Sequence, residues 1–123
     1  MQRISKVRCL FWNCMRLAII GTRDCKPIEI DSYVDVLPTE VVSGGAKGVD
    51  TYARIFAERH NLPLTEFRPE YYKYGKSAPI IRNKQIVEYC DSVLAFWDGK
   101  SKGTQNAICY AKKLGKPIKI IKL

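Results

Sequence analysis

Residues 41–61 read VVSGGAKGVDTYARIFAERHN, and this stretch carries the pattern that decides the fold. Val41 and Val42 form a short apolar run of the kind found in a buried strand, and a glycine-rich loop follows directly. Apolar side chains then recur at the spacing of one helix face from Val49 to His60, and Asn61 ends the pattern. A strand, a tight loop and an amphipathic helix in this order predict half of a βαβ unit.

The same alternation continues on both sides of this stretch. Further strands are predicted over 17–20, 63–68, 92–97 and 118–121. Three more helix faces are predicted, the first ending at Pro38: Ile30, Tyr33, Val34 and Leu37; Ile80, Asn83, Val87 and Cys90; Ala107, Tyr110, Ala111 and Leu114. Gly115 and Pro117 follow the last helix, as expected beyond a helix C-terminus. With right-handed crossovers, the pattern predicts an α/β, Rossmann-like three-layer sandwich with a parallel five-stranded sheet of order 3-2-1-4-5.

This topology also predicts where a ligand would bind. In open parallel sheets the ligand crevice lies beyond the carboxyl ends of the strands, where the strand order reverses. The unusual residues of the chain do cluster just after predicted strands 1, 2 and 4. We therefore look for function in these loops.

Composition and charge limit the function classes. The chain has 123 residues, enough for one domain, and no apolar run approaches the roughly 20 residues that span a bilayer. The net charge is +9, which favours an anionic partner such as nucleic acid or a phosphorylated small molecule. Three of these charges lie in residues 1–14, which leaves +6 on the remaining 109 residues. Many of the lysines behind this remaining charge are interpreted as an ordinary solvated surface.

The cysteines indicate a reducing compartment. Five cysteines without a C-x-x-C pair, together with a single histidine, argue against a disulfide framework and against a tetrahedral zinc site. Cys90 and Cys109 fall on predicted apolar helix faces, so both are expected to be small core residues. We predict no metal, no membrane contact and a cytoplasmic location.

The first 14 residues show neither a strand nor a helix period. Met15 directly precedes the first strand, so we predict a single domain over residues 15–123, with 1–14 as an N-terminal extension. An arm that caps the sheet through Leu10, Phe11 and Trp12 is the alternative interpretation.

The loops offer several ligand-binding groups. Gly21-Thr22-Arg23 follows strand 1, and its arginine can bind phosphate or carboxylate in a bidentate manner. Residues 43–50 follow strand 2, and their glycines could leave backbone amides free for an anion at a helix N-terminus. Gly103-Thr104 repeats this arrangement after strand 4. Ordinary turns and helix capping are the structural alternatives.

The segment from Tyr71 to Asn83 combines tyrosines with lysines, which can stack a base and hold a phosphate. Asn83 lies on the apolar face of its helix, so its amide either fixes a loop or contacts the ligand. The complete set of predicted ligand-binding residues is Gly21, Thr22, Arg23, Ser43, Gly44, Gly45, Lys47, Asp50, Lys76, Arg82, Asn83, Gly103 and Thr104. No catalytic residue is assigned.

Five motifs occur in order: Gly21-Thr22-Arg23, residues 43–50 (SGGAKGVD), Tyr74-Gly75-Lys76, Arg82-Asn83 and Gly103-Thr104. The set resembles the SLOG superfamily, a Rossmann-like group containing DNA-processing protein A, the LOG phosphoribohydrolases and YpsA-type proteins. It is most similar to the YspA, cpYpsA-related branch. The resemblance covers residues 16–121 and implies a nucleotide-type ligand or a nucleic-acid end, in a protein of a bacterium or phage. Related families are often dimers, which implies a homodimer.

Individual motifs correspond to different branches of this superfamily. Residues 43–50 resemble the SG-x-A-x-G-x-D stretch of DNA-processing protein A, and Arg82-Asn83 resembles its Arg-Asn pair. Gly103-Thr104 resembles part of the LOG signature P-G-G-x-G-T-x-x-E, but Ala107 stands where that signature has its glutamate, and the proline is missing too. Because glycosidic cleavage needs a carboxylate near the oxocarbenium-like transition state, this departure argues against LOG-type hydrolysis.

Three functions follow. The first is a sensor-type domain that binds a nucleotide or nucleotide derivative without a further cofactor. The second is an enzyme acting at a nucleotide's glycosidic bond through Asp50 or Asp98. The third is single-stranded nucleic-acid binding. The first is favoured because ligand-binding groups are abundant, whereas no acid–base pair is evident.

Overall fold

The computed structural model describes residues 15–123. The prediction for residues 1–14 lies outside the described residues. The strands are β1 (Arg16–Gly21), β2 (Glu40–Ser43), β3 (Leu64–Glu66), β4 (Ser92–Trp97) and β5 (Ile118–Lys122). The helices are α1 (Val49–Arg59), the four-residue α2 (Tyr71–Tyr74), α3 (Ala78–Tyr89) and α4 (Lys102–Lys113). Single 3-10 turns occur at Ile30–Tyr33 and Gly75–Ser77.

The five strands form one parallel sheet of order β3-β2-β1-β4-β5, which confirms the predicted fold class and strand order. Strands β1 and β4 are neighbours at the centre, with Ala18 opposite Val93. Their buried side chains alternate between two apolar layers. The order reverses between β1 and β4, so the predicted crevice lies at the carboxyl ends of these strands.

Each face of the sheet is covered by a different set of helices. On one face, α3 and α4 contribute Ile86, Val87 and Ile108 to the core. On the other face, α1 contributes Val49 and Phe56. Among the helices of residues 15–123, none combines the length and the apolar character that crossing a bilayer requires.

The predicted helix over residues 30–37 is wrong beyond its first turn. Ile30 is buried and the Tyr33 ring packs edge-on against Phe96 at 5.2 Å, but Val34 is already extended, with φ −116° and ψ 114°. Leu37 is 50% exposed and, among the described residues, belongs to neither apolar layer, so burial in the core does not stabilise a further turn. A helix this short gains too few hydrogen bonds to offset nucleation, and Pro38 also disfavours helical geometry at the residue before it.

Three further predicted core positions are exposed. Cys109 is exposed because its neighbour Ile108 faces the sheet, and successive helix side chains point about 100° apart. Leu114 follows the last turn of α4 and is also exposed, as is Ile80 in the first turn of α3. Cys90, in contrast, is buried as predicted. The errors fall at helix ends and on one outward face, where the periodicity continues but the sheet no longer covers it.

Candidate functional site

A cavity of about 550 Å³ opens at the carboxyl end of the sheet. Its size is within the range of ligand pockets. Nine of the thirteen predicted ligand-binding residues line it: Gly21, Arg23, Gly44, Gly45, Asp50, Arg82, Asn83, Gly103 and Thr104. The sequence-based choice of loops therefore converges on one cavity, although the loops are far apart along the chain.

The loop between β2 and α1 is held by close backbone contacts. The amide of Val49 donates to the carbonyl of Thr22 at 3.2 Å, which joins the start of α1 to the end of β1. Gly48 has a φ of +71°, and a Cβ at that position would lie 2.2 Å from the carbonyl oxygen of Arg23. Only glycine permits both the conformation and this contact.

The carboxylate of Asp50 occupies this loop. Its Oδ2 accepts a hydrogen bond from the amide of Ala46 at 3.0 Å, while the amide of Gly45 lies 3.4 Å from the Oγ of Ser43. Two amides that the sequence offered to an external anion are thus engaged by the loop's own side chains. Burial raises the pKa of Asp50 above its usual value, although the Ala46 amide and the Arg82 charge oppose the shift.

Arg82, on α3, lies against the same loop. Its Nη1 donates to the carbonyl of Gly44 at 2.9 Å, and its Nε donates to Oδ1 of Asn83 at 3.0 Å. In residues 15–123, no carboxylate lies within ion-pairing distance of this guanidinium. Burial lowers the pKa of Arg82, although an arginine side chain stays charged in proteins. The wall of the cavity thus holds a partly buried cation without a direct anionic partner.

Gly44 separates the two charged groups. A Cβ at this position would lie 2.3 Å from Nη1 of Arg82 and 3.1 Å from Oδ2 of Asp50. Any larger residue would push at least one of them away, so the arrangement of cation and carboxylate depends on this glycine.

The loop between β4 and α4 is organised differently. Oδ1 of Asp98 accepts hydrogen bonds from the amides of Lys100 and Ser101, both at 2.8 Å, and these amides lower the pKa of Asp98. The Asp98 amide donates to Oγ1 of Thr22 at 3.2 Å, which ties this loop to the end of β1. Asp98 therefore completes its own turn and does not line the cavity.

The helix that follows keeps its first turn open. Ser101 occupies the N-cap position of α4 without a side-chain cap hydrogen bond. The amides of Gly103 and Thr104, at the positive end of the helix dipole, therefore have no acceptor among residues 15–123. Both residues line the cavity. The amide nitrogen of Asn83 donates to the carbonyl of Gly103 at 3.1 Å, and the Oγ atoms of Ser101 and Thr104 are 3.2 Å apart.

No family model matches this chain. Among curated proteins, the gene 61 protein of Mycobacterium phage D29 is 36% identical over 84 residues, which cover 63% of this chain and 67% of that protein. The chain belongs to the family of this phage protein.

Among solved structures, the fold matches DNA processing protein A from Helicobacter pylori, with a TM-score of 0.65 and 22% identity. The match covers 87% of this chain, whereas this chain spans only 65% of that protein. DNA processing protein A from Helicobacter pylori has a unique single-stranded DNA binding mode. At this identity the similarity supports the Rossmann-like fold.

Four predicted ligand-binding residues of this gene 61 family member do not line the cavity: Thr22, Ser43, Lys47 and Lys76. Thr22 and Ser43 are buried, and both use their hydroxyls within the loops. Lys47 and Lys76 are exposed side chains beyond the lining. Of the two alternatives for Asn83, the structure shows the first, because its amide holds Gly103. The residue also lines the cavity, and its contact with a ligand stays a prediction.

Arg68 and Tyr71 are the main lining residues absent from the predicted set. Nη2 of Arg68 pairs with Oε1 of Glu66 at 3.0 Å, and the guanidinium packs close to Gly45. Tyr71 is 58% exposed and lines the cavity near Pro69 and Pro79. A search at the carboxyl end of predicted strand 3 would have found Arg68, because β3 lies beside β2 and contributes to the same edge.

Proposed function

We propose that the chain binds a phosphorylated, nucleotide-type ligand in this cavity and acts as a sensor-type domain. The observation that carries the proposal is the Arg82 guanidinium, partly buried without an ion-pair partner beside the open first turn of α4. Asp50 lies near this guanidinium but beyond ion-pairing distance, so a ligand anion in direct contact would stabilise the half-buried cation further. An uncapped helix N-terminus adds amide donors for the same anion. The phosphate accordingly contacts Arg82, Gly103 and Thr104, with Arg23 at the rim.

The remaining lining residues fit the other parts of a nucleotide. Tyr71, Pro69 and Pro79 offer an aromatic and apolar wall on which a base can stack. Asp50 is 8% exposed and accepts a hydrogen bond from the Ala46 amide, and a carboxylate has further lone pairs with which to accept a sugar hydroxyl. Gly44 and Gly45 allow close approach, whereas Lys47 and Lys76 only add to the positive potential.

The test replaces Arg82 by Ala and uses Lys76→Ala as the charge-matched control, since Lys76 is exposed outside the cavity. Calorimetric titration with nucleoside monophosphates should show a loss of roughly 1.5–3 kcal/mol for Arg82→Ala, because a charge-assisted contact is removed. The Lys76 variant should lose much less affinity, because it removes only a distant charge. Equal affinities for both variants would move the anion site away from Arg82.

Single-stranded DNA is the second candidate ligand. It is favoured by the fold shared with DNA processing protein A and by the exposed Tyr71 at the cavity, a ring on which a base of any identity can stack. Under this function, oligonucleotide binding should persist at physiological salt and weaken on Tyr71→Ala. If the domain instead binds a nucleotide-type small molecule, oligonucleotides should bind only weakly, and their binding should disappear near physiological salt.

Glycosidic cleavage is a third function, and Asp50 is its best-placed carboxylate. Asp50 lines the cavity with a raised pKa, as a general acid requires, while the Asp98 carboxylate is engaged by loop amides. Ala107 lines the cavity where the LOG signature carries glutamate. Release of free base from nucleoside monophosphates, abolished by Asp50→Asn, would establish this activity over simple binding.

The motif set also supports our proposal that the chain is a SLOG domain of the YspA, cpYpsA-related branch and that residues 15–123 form one domain. Free Cys25, Cys90 and Cys109 support the cytoplasm as its compartment. A homodimer remains part of the proposal on the strength of that resemblance.

A further inference from the structure

The positive charge of the chain is concentrated in its second half. Residues 70–123 contain eleven lysines and arginines but only four acidic residues, whereas residues 15–69 contain seven basic and eight acidic residues. The excess on the described part of the chain therefore comes from residues 70–123. These residues form α2, α3, α4, β4 and β5.

In the helical layers this division in the sequence is also a division in space, whereas Lys119 on β5 contacts the Tyr33 carbonyl on the opposite side. Helices α3 and α4 pack side by side on one face of the sheet, and α1 and the first 3-10 turn cover the opposite face. Lysines on the outer surface of the α3–α4 layer thus face away from the near-neutral layer. A one-sided excess of this kind attracts polyanions.

A groove of about 190 Å³ runs between α3 and α4 on this basic side. Its floor is formed by Ile80, Cys109 and Tyr110, and Lys84 and Lys113 line it with their positive charges. Asn83 lines both this groove and the main cavity, so the two are adjacent. The groove lies outside the site described above.

Its charges are available for a ligand. In residues 15–123 neither Lys84 nor Lys113 has an ion-pair partner, and the ammonium of Lys84 lies 5.7 Å from the centre of the Tyr110 ring. Glu88 is an acidic side chain beside the groove, and its carboxylate accepts a hydrogen bond from the Tyr110 hydroxyl at 2.6 Å. The two ammonium groups can bind phosphates of a single strand, while the apolar floor below them can pack against its bases.

We propose that the α3–α4 groove is a second subsite, which binds the continuation of a single-stranded nucleic acid whose terminal nucleotide occupies the main cavity. This inference rests on the proposed nucleotide site and takes single-stranded DNA, the second candidate ligand above, as the molecule that occupies it. Lys84 and Lys113 bind successive phosphates, and bases pack on the floor. A nucleoside monophosphate fills the cavity and leaves the groove empty.

Cys109 provides a test on the unaltered protein. It is an exposed thiol in the floor of the groove, while Cys25 is a partly exposed thiol packed on the opposite layer. Alkylation of each cysteine is followed by peptide mass spectrometry with no ligand, with thymidine monophosphate, or with an oligothymidylate of about eight nucleotides. The oligonucleotide should slow alkylation of Cys109 but not of Cys25, and the monophosphate should slow neither.

Charge substitution provides the second measurement. Lys84→Gln with Lys113→Gln should weaken oligothymidylate binding at least about fivefold and lower its salt dependence by about 0.7 in log–log slope for each lost phosphate contact. The control pair, Lys26→Gln with Lys119→Gln, removes the same charge from the opposite side of the sheet, where Lys119 contacts the carbonyl of Tyr33. It should change the oligothymidylate affinity and its salt dependence much less. Thymidine monophosphate affinity should be the same for both pairs.

The outcomes separate the two proposals. An unprotected Cys109, or equal oligonucleotide affinities for the two lysine pairs, overturns the groove subsite, as does a complete lack of oligonucleotide binding. If Cys109 is protected and the groove pair weakens binding while thymidine monophosphate does not bind at all, the groove stands and the nucleotide site fails.

Discussion

The loops after β2 and β4 have similar compositions, yet they present opposite chemistry to the cavity. Both contain glycines and small polar residues, and both lead into a helix. After β2 the carboxylate of Asp50 folds back onto the amide of Ala46. After β4 the carboxylate of Asp98 stays within its own turn, and the first amides of α4 remain uncapped. A glycine-rich loop before a helix is therefore an anion site only if its own side chains leave the amides free.

The largest expected effect compares Gly48→Ala with Gly99→Ala, since both positions have positive φ. At Gly48 the new Cβ meets the carbonyl oxygens of Arg23 and Thr22, which cannot move without shifting β1, so the free energy of unfolding should fall by about 2–5 kcal/mol. At Gly99 the nearest atoms belong to the end of the Lys122 side chain, which can rotate away. The free energy of unfolding should therefore fall by only about 1–2 kcal/mol, the cost of the left-handed backbone conformation. Urea denaturation measures both. Similar losses would show that the loop after β2 is no more tightly constrained than the other.

The second comparison replaces a glycine that lines the cavity in each loop. Gly44→Ala should displace the Arg82 guanidinium and weaken nucleotide binding by roughly 1.5–3 kcal/mol, as expected for a lost charge-assisted contact. Gly103→Ala meets no atom within 4 Å and lies in a helix, so it should stabilise the fold by about 0.5–1 kcal/mol without loss of affinity. Calorimetric titration and thermal unfolding report the two quantities. Loss of binding in the Gly103 variant would mean that the ligand occupies the space of the added methyl group, in addition to its contacts with the first amides of α4.

The smallest expected effect is a difference between Asp50→Asn and Asp98→Asn in how the stability of the fold depends on pH. The folded pKa of Asp50 is raised by burial, so its contribution to stability decreases as the pH rises through that pKa. The folded pKa of Asp98 is lowered by the amides of Ser101 and Lys100, so its contribution is present at higher pH and is lost as the pH falls through that lower pKa. Removing the Asp50 carboxyl should therefore make the protein relatively more stable at neutral than at acidic pH, and removing the Asp98 carboxyl should do the reverse. Urea unfolding of both variants from pH 3 to pH 8 measures these changes in stability. If both variants shifted in the same direction with pH, the environments assigned to the two carboxyl groups would be contradicted.

Much of the architecture followed from patterns a few residues long. The predicted strands include all five that form, and the right-handed crossover rule placed them in the correct order. The failures were at positions where a local period continued without a tertiary partner. Leu37 fits the helix face that begins at Ile30, but it is half-exposed and, within residues 15–123, belongs to neither apolar layer. Ile80 and Cys109 fit helix faces too, yet they line an outer groove.

The sequence by itself determined which loops meet at the carboxyl end of the sheet, because strand order and handedness decide which loops share that edge. Only the tertiary structure decided what each loop does there. Arg82 is 38 residues from Gly44 along the chain, yet its guanidinium lies on the Gly44 carbonyl. Whether an amide is free or a cation unpaired depends on distances of about 3 Å between segments remote in sequence. No local pattern encodes such distances, since they result from packing α3 and α4 against one face of the sheet.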